Sequence, residues 1–157
     1  MKVASILLMS VLLLAAGPVS GAVAATDGTT AVGSGSGVFP AGTTFNGIAL
    51  NGSTFGIGVL VNLDGSAVGD VEIVLAGTSS SGQPQYIAVE GKAATGSVNP
   101  DGSVTIGGTA NVDMGDGTPA LPSVPFSVTL TAQGLQLVVG TVSLPTQTLS
   151  EGAVTIQ

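Results

Sequence analysis

The stretch FGIGVLVNLDGSAVGDVEIVLAG, residues 55–77, sets alternating apolar residues on both sides of a single Asp-Gly dipeptide. Phe55, Ile57, Val59, Val61 and Leu63 fall on one face of an extended chain. Past the dipeptide, Val71, Ile73 and Leu75 share a face, with Asp70, Glu72 and Val74 on the other. Successive side chains of a strand point to opposite sides, so this period of two predicts two half-buried strands. Asp-Gly supplies the positive φ angle that a tight hairpin needs. The stretch reads as an antiparallel hairpin.

The same pattern runs to the end of the chain. SVTIGGTANVD (103–113) turns Val104, Ile106, Ala110 and Val112 one way, and VPFSVTLTA (124–132) does so with Val124, Phe126, Val128 and Leu130. LQLVVGTVSL (135–144), GAVTIQ (152–157) and the glycine-kinked YIAVEGKAATGSV (86–98) add three more runs. In the last of these, Glu90 and Lys92 are two apart and share an outer face, which predicts an ion pair there. Turn-forming segments lie between the runs: NLDG, SSSGQPQ, NPDG, MGDGTPALPS, AQG and PTQTLSEG. No segment past the first 24 residues shows apolar spacing of three, four and seven, so no helix is expected in the domain. With an early strand inside GSGSGVF (33–39), the count is about eight.

Alternating faces point to an all-β antiparallel fold, an up-and-down barrel or barrel-like sandwich. Closure by pairing the first strand with the last removes exposed edges. The connection from Asp113 to Ser123, with Pro119 and Pro122, is the most irregular.

The chain begins with Met1-Lys2, an apolar run to residue 17 and small residues at Ala22, Val23 and Ala24. That order predicts a secretory signal-peptide helix cut after Ala24 or Ala25. The run is short for a membrane span, which needs about 20 residues. The expected organisation is a signal peptide at 1–24, a flexible leader with the start of the first strand at 25–37, and one β-domain at 38–157. Cys 0 means that an exported domain holds together without disulfides, which fits a bacterial source better than an animal one. The expected location is the periplasm or the medium.

Charge narrows the partners. Lys+Arg 2 against Asp+Glu 9 leaves Lys92 the one cation once Lys2 departs with the signal. Nucleic acids and anionic membranes both demand cations, and neither is an expected partner. A transmembrane barrel is the poorer reading, because aromatic residues are only 3% and cannot build two girdles. No integral membrane insertion is expected after cleavage.

His 0 and Cys 0 remove His-assisted triads, thiol nucleophiles and His-ligated metals. Trp 0 and a single tyrosine, Tyr86, argue against a sugar-binding cleft. Calcium is the remaining chemistry to weigh, because VNLDGS (61–66) returns as VNPDGS (98–103). With Asp64 at position 5 of a calcium loop, positions 1 and 12 are Leu60 and Val71; in the second copy they are Ser97 and Gly108. Neither copy supplies the closing carboxylate. Both loops therefore read as turns. The weak metal candidates are Asp113 and Asp116, two carboxylates three apart in a loop. LPTQT (144–148) approaches a cell-wall sorting signal but lacks its glycine, and reads as a loop.

The order of GSGSGVF, LDGSAVGDVEI, VTIGGTANV, PFSVTLT and TLSEGAVTIQ resembles the post-COAP-1 domain, a bacterial secreted all-β module of uncharacterised function. The aspartate-rich strand expected before the closing hairpin is not present. The resemblance implies an all-β fold and no catalytic residues. The expectation is a secreted, non-enzymatic β-domain without a cofactor, with a binding or structural role. Its alternatives are a lipocalin-like carrier of a small apolar ligand and a self-assembling extracellular subunit.

Overall fold

The computed structural model describes residues 28–157; the expected signal peptide and its cleavage point lie outside the described residues. Ten antiparallel strands follow one another: β1 (Gly28–Val38), β2 (Thr44–Phe45), β3 (Ile48–Asn62), β4 (Ala67–Thr78), β5 (Pro84–Val98), β6 (Val104–Asp113), β7 (Leu121–Thr131), β8 (Gly134–Val139), β9 (Val142–Ser143) and β10 (Gln147–Ile156). The two strands beyond the expected count, β2 and β9, are two residues long. The other eight form a closed ring in the order β1-β3-β4-β5-β6-β7-β8-β10, and β10 returns to β1. An all-β, barrel-like architecture is what the period of two requires.

Four expectations need correction. The segment 28–37 is no loose leader: β1 occupies it, bonded along its length to β3 and over 31–38 to β10. Glycine is unfavourable in strands as a matter of propensity, but pairing on both edges overrides propensity here. PTQTLSEG is not wholly a turn, since β10 begins inside it at Gln147. Leu63 does not join the inward face; it stands at a loop tip, 83% exposed. Lys92 pairs with Asp70 across the β4–β5 ladder rather than with Glu90 on its own strand.

Inward residues close into one core. Leu75, Ile87, Val89, Ile106, Val128, Leu130 and Leu137 have no accessible surface, and Phe55, Ile57, Val59 and Val61 line the β3 side. Burying each large side chain contributes about 1.5–3 kcal/mol. Polar groups take the outer face, as with Ser34, Thr54, Glu72, Glu90 and Asn111. Register shifts at Leu50/Gly52, Ala93/Thr95, Ala110/Val112 and Ser36/Gly37 add the local bends that let a flat ladder curl.

Closure explains the Gly-Ser-Gly-Ser-Gly run. Gly33, Gly35 and Gly37 alternate with the outward Val32, Ser34, Ser36 and Val38. A Cβ on Gly35 would collide with the backbone carbonyl of Glu151, and one on Gly37 with the amide of Gln147. The ring shuts tightly at β1, and side chains there would prevent it. Over Gly37 lies the one buried polar bridge described between β3 and β10: Ser53 Oγ donates to Gln147 Oε1 at 2.5 Å. Gln147 is fully buried, and its Nε2 has no partner, a cost of about 1–3 kcal/mol.

Two glycines give a controlled comparison. Gly35→Ala is expected to destabilise by about 1–3 kcal/mol, because backbone must move to admit the methyl. Gly56→Ala, on the outer face of β3 with nothing within 4 Å, is expected to be neutral or to stabilise by about 0.5 kcal/mol. Urea unfolding of both variants measures the contrast; equal effects would refute tight closure at β1.

Candidate functional site

The repeated Asn-x-Asp-Gly-Ser loops take one geometry. In β3–β4, Asn62 N–H donates to the Ser66 carbonyl at 2.8 Å and Gly65 N–H to the Asn62 carbonyl at 3.0 Å. In β5–β6, Asn99 N–H donates to Ser103 and Gly102 N–H to Asn99, at 2.8 and 2.9 Å. Gly65 and Gly102 both have φ of 81°. This is a three-residue hairpin loop, a turn followed by a left-handed glycine. The β4–β5 loop repeats the backbone pattern with Ser79, Gly82 and Gln83.

Each aspartate accepts bonds within its own loop through Oδ1. Asp64 Oδ1 accepts from Ser66 N–H at 2.9 Å and Ser66 Oγ–H at 2.6 Å, and Asp101 Oδ1 accepts the same pair from Ser103 at 3.0 and 2.6 Å. Asp116 repeats this with Thr118 at 3.0 and 2.6 Å. The hydroxyl bonds first, then the backbone amides, hold all three carboxyls below the usual aspartate value. Asp113, the other metal candidate, accepts from Gly115 N–H at 2.8 Å. Asp113 and Asp116 thus sit in one loop with separate local donors. Among the described residues no group of three or more carboxylates converges.

The outer face of β4 and β5 holds the remaining charge. Glu72 stands opposite Glu90, and Asp70 opposite Lys92. Its bond to Asp70, and then the charge of Asp70, raise Lys92 above the ordinary lysine value. Both partners are more than half exposed, and such surface pairs contribute little. With Asn111, opposite Glu90 on β6, they line an open depression of about 240 Å³.

A side chain bordering a void large enough for water has accessible surface. The seven interior side chains named above have none, so no water-sized void adjoins them.

A further feature lies at the end of the ring that carries the two Asn-x-Asp-Gly-Ser loops. There a cleft of about 420 Å³ is lined by Asp101, Gly102, Ser103, Thr131, Ala132, Val154, Thr155 and Ile156. It exists because β10 meets β8 only at Gln147↔Leu135 and Thr148↔Gly134, with one further bond from Leu149 N–H to Gln133. Beyond that seam β10 runs on past the β7–β8 turn. Sequence reading missed both Gln147 and this cleft. The signal was faint: Gln147 and Leu149 fit a period of two, but the neighbouring Pro145, Ser150 and Gly152 read as a turn.

No family model, curated protein or solved structure matches the chain. The resemblance to the post-COAP-1 domain therefore rests on glycine and turn positions alone.

The loop geometry sets a pH dependence. A carboxyl whose folded-state value is depressed adds stability above its unfolded value, and loses it as pH falls through the depressed one. The double variant Asp64→Asn/Asp101→Asn is expected to melt a few degrees below the parent at neutral pH. The gap should close as pH is lowered beneath about 3.9, the free aspartate value, towards 2. Thermal melts across that range check it; a gap constant with pH would refute the charge-assisted loops.

Proposed function

We propose that this protein is an exported, non-enzymatic β-domain with a binding or structural role outside the cytoplasm. The observation that carries the reading is where its reactive groups stand. Every described carboxylate is exposed, and Asp64, Asp101, Asp113 and Asp116 are each engaged by donors of their own loop. Acid–base and metal chemistry need such groups converging in a cleft. The composition points the same way, with His 0 and Cys 0.

A carrier of an internal apolar ligand is the poorer alternative, because Leu75, Ile87, Val89, Ile106, Val128, Leu130 and Leu137 have no void beside them. A membrane-spanning barrel is poorer still, since the apolar faces point inward and the polar ones outward, the reverse of such barrels. Among the described residues no helix is long and apolar enough to cross a membrane. Lys92 on an otherwise acidic surface makes nucleic acid an unfavourable partner.

Two measurements test the reading. Expressed in a bacterial host with its first residues intact, the protein is expected outside the cytoplasm, with an intact mass that starts at Ala25 or Thr26. The melting temperature of that product is expected to respond to millimolar calcium no more than to magnesium, because a ligand held only by the folded form must raise it. Full-length protein retained in the cytoplasm would overturn export. A calcium-specific rise, lost in Asp113→Ala/Asp116→Ala, would overturn the non-metal reading.

A further inference from the structure

We propose that the free edge of β10 pairs antiparallel with the same edge of a second copy of this chain, joining two barrels through a continuous sheet. This deepens the structural reading above and rests on it.

The direction of the backbone groups comes first. Thr30 and Gln157 exchange both N–H···O bonds, at 2.7 and 3.0 Å. In an antiparallel ladder such bonded pairs recur at every second residue. Thr155↔Val32 and Ala153↔Ser34 are therefore bonded pairs as well. The N–H and C=O groups of Val154 and Ile156 must then point away from β1; Gly152, at φ 89°, departs from the regular alternation. No described strand lies there: from Ser150 onward β10 has its ladder partners among the described residues in β1 alone. These unpaired groups border the 420 Å³ cleft.

Natural sheets guard such edges with proline, lysine or irregular backbone. The edge of β7 beyond Phe126, which β8 does not reach, is guarded in that way. It carries Pro122, Pro125 and Ser123 at φ 57°. The β10 edge has no proline or lysine, and its irregular backbone is confined to its start, at Gly152 with φ 89°. Its residues are Gly152, Ala153, Val154, Thr155 and Ile156, small or β-branched, and its one charge is Glu151 at the start.

The occupant follows from complementarity. Two β10 edges related by a two-fold axis at Val154 set Val154 against its counterpart and Gly152 against Ile156. That register forms about six hydrogen bonds, two for each bonded pair, once Gly152 moves from φ 89° to extended backbone. On the inner face it brings the half-buried Val154 and Ile156 of both copies together, and Gly152 leaves them room. On the outer face Ala153 meets Thr155. Glu151 falls opposite the uncharged Gln157, about 20 Å from the other Glu151 at strand rise. That is past the screening length of roughly 8 Å at physiological salt. What opposes pairing is the charge of each exported copy, nine acidic residues against Lys92 alone. Association is therefore expected to strengthen with salt, the reverse of an ion-paired interface.

Sedimentation of the exported chain from micromolar to millimolar concentration tests the pairing. The expected result is a monomer–dimer equilibrium favoured by added sodium chloride. With rising concentration the amides of Val154 and Ile156, which lack acceptors in the monomer, should exchange more slowly by NMR, while exposed loop amides stay unchanged. Val154→Pro removes an edge N–H and spares the bonds to β1. Thr155→Glu, at an exposed site, keeps the fold and adds charge beside both Glu151 carboxylates. Each is expected to weaken association by about tenfold or more. A monomer throughout, or a dimer indifferent to Thr155→Glu with unprotected edge amides, overturns the proposal. Neither result touches the tests of export and calcium, so the two readings fail separately.

Discussion

The structure depends on one constraint: β1 has to satisfy two neighbours at once. It lies between β3 and β10 and bonds to both, so the ring exists only while β1 is in place. A strand in that position has two occupied edges and an inner face crowded by the closing chain. Glycine at 33, 35 and 37 meets the crowding, while serine at 34 and 36 keeps the outer side polar. What looks like linker composition is the signature of a tight closure. The entropy lost in fixing three glycines is offset by the two ladders of backbone bonds that a strand with neighbours on both sides makes, where an edge strand makes one.

That origin explains which parts of the fold were legible in the sequence. Phe55 to Val61, Val71 to Leu75 and Phe126 to Leu130 each carry their own evidence, because apolar side chains alternate within the segment and the core receives them. The Asp-Gly turns were equally plain, since a left-handed glycine is a local requirement. β1 could not be read in the same way: its order comes from β3 and β10, far along the chain, and glycine carries no hydrophobic signal. β10 was half legible for a similar reason. Its first turn of chain holds Gln147, buried as an amide where a pattern reader expects an apolar residue. Leu63 erred the other way, continuing an apolar alternation one step past the point where the hairpin had already turned.

For the candidate site, the sequence identified the Asp-Gly segments as hairpin turns, and the structure shows those turns. Oδ1 of Asp64 receives both the amide and the hydroxyl of Ser66. Asp101 and Asp116 repeat the arrangement. A following serine or threonine thus turns an Asp-Gly dipeptide into a self-contained cap. The same carboxyl cannot easily serve both purposes, since a hard cation demands several oxygens free to converge. The cleft beside β10 was not legible at all, because it arises from a mismatch in length between the β7–β8 hairpin and β10, and no single segment records that.

The mismatch links stability to surface. Every other junction in the ring is an extended ladder, whereas β8 and β10 share two residue pairs and one further bond. Beside them lies Gln147, with one amide atom bonded to Ser53 and the other without a partner. A barrel opens first where its backbone bonds are fewest and its buried polar groups least satisfied. That place is the β8–β10 seam, and the free edge of β10 continues directly from it. Residues that cover the edge would also brace the seam, because β10 cannot leave β8 without disturbing whatever is paired along its far half. Occupation of the edge and retention of the closed ring are therefore coupled through a single strand.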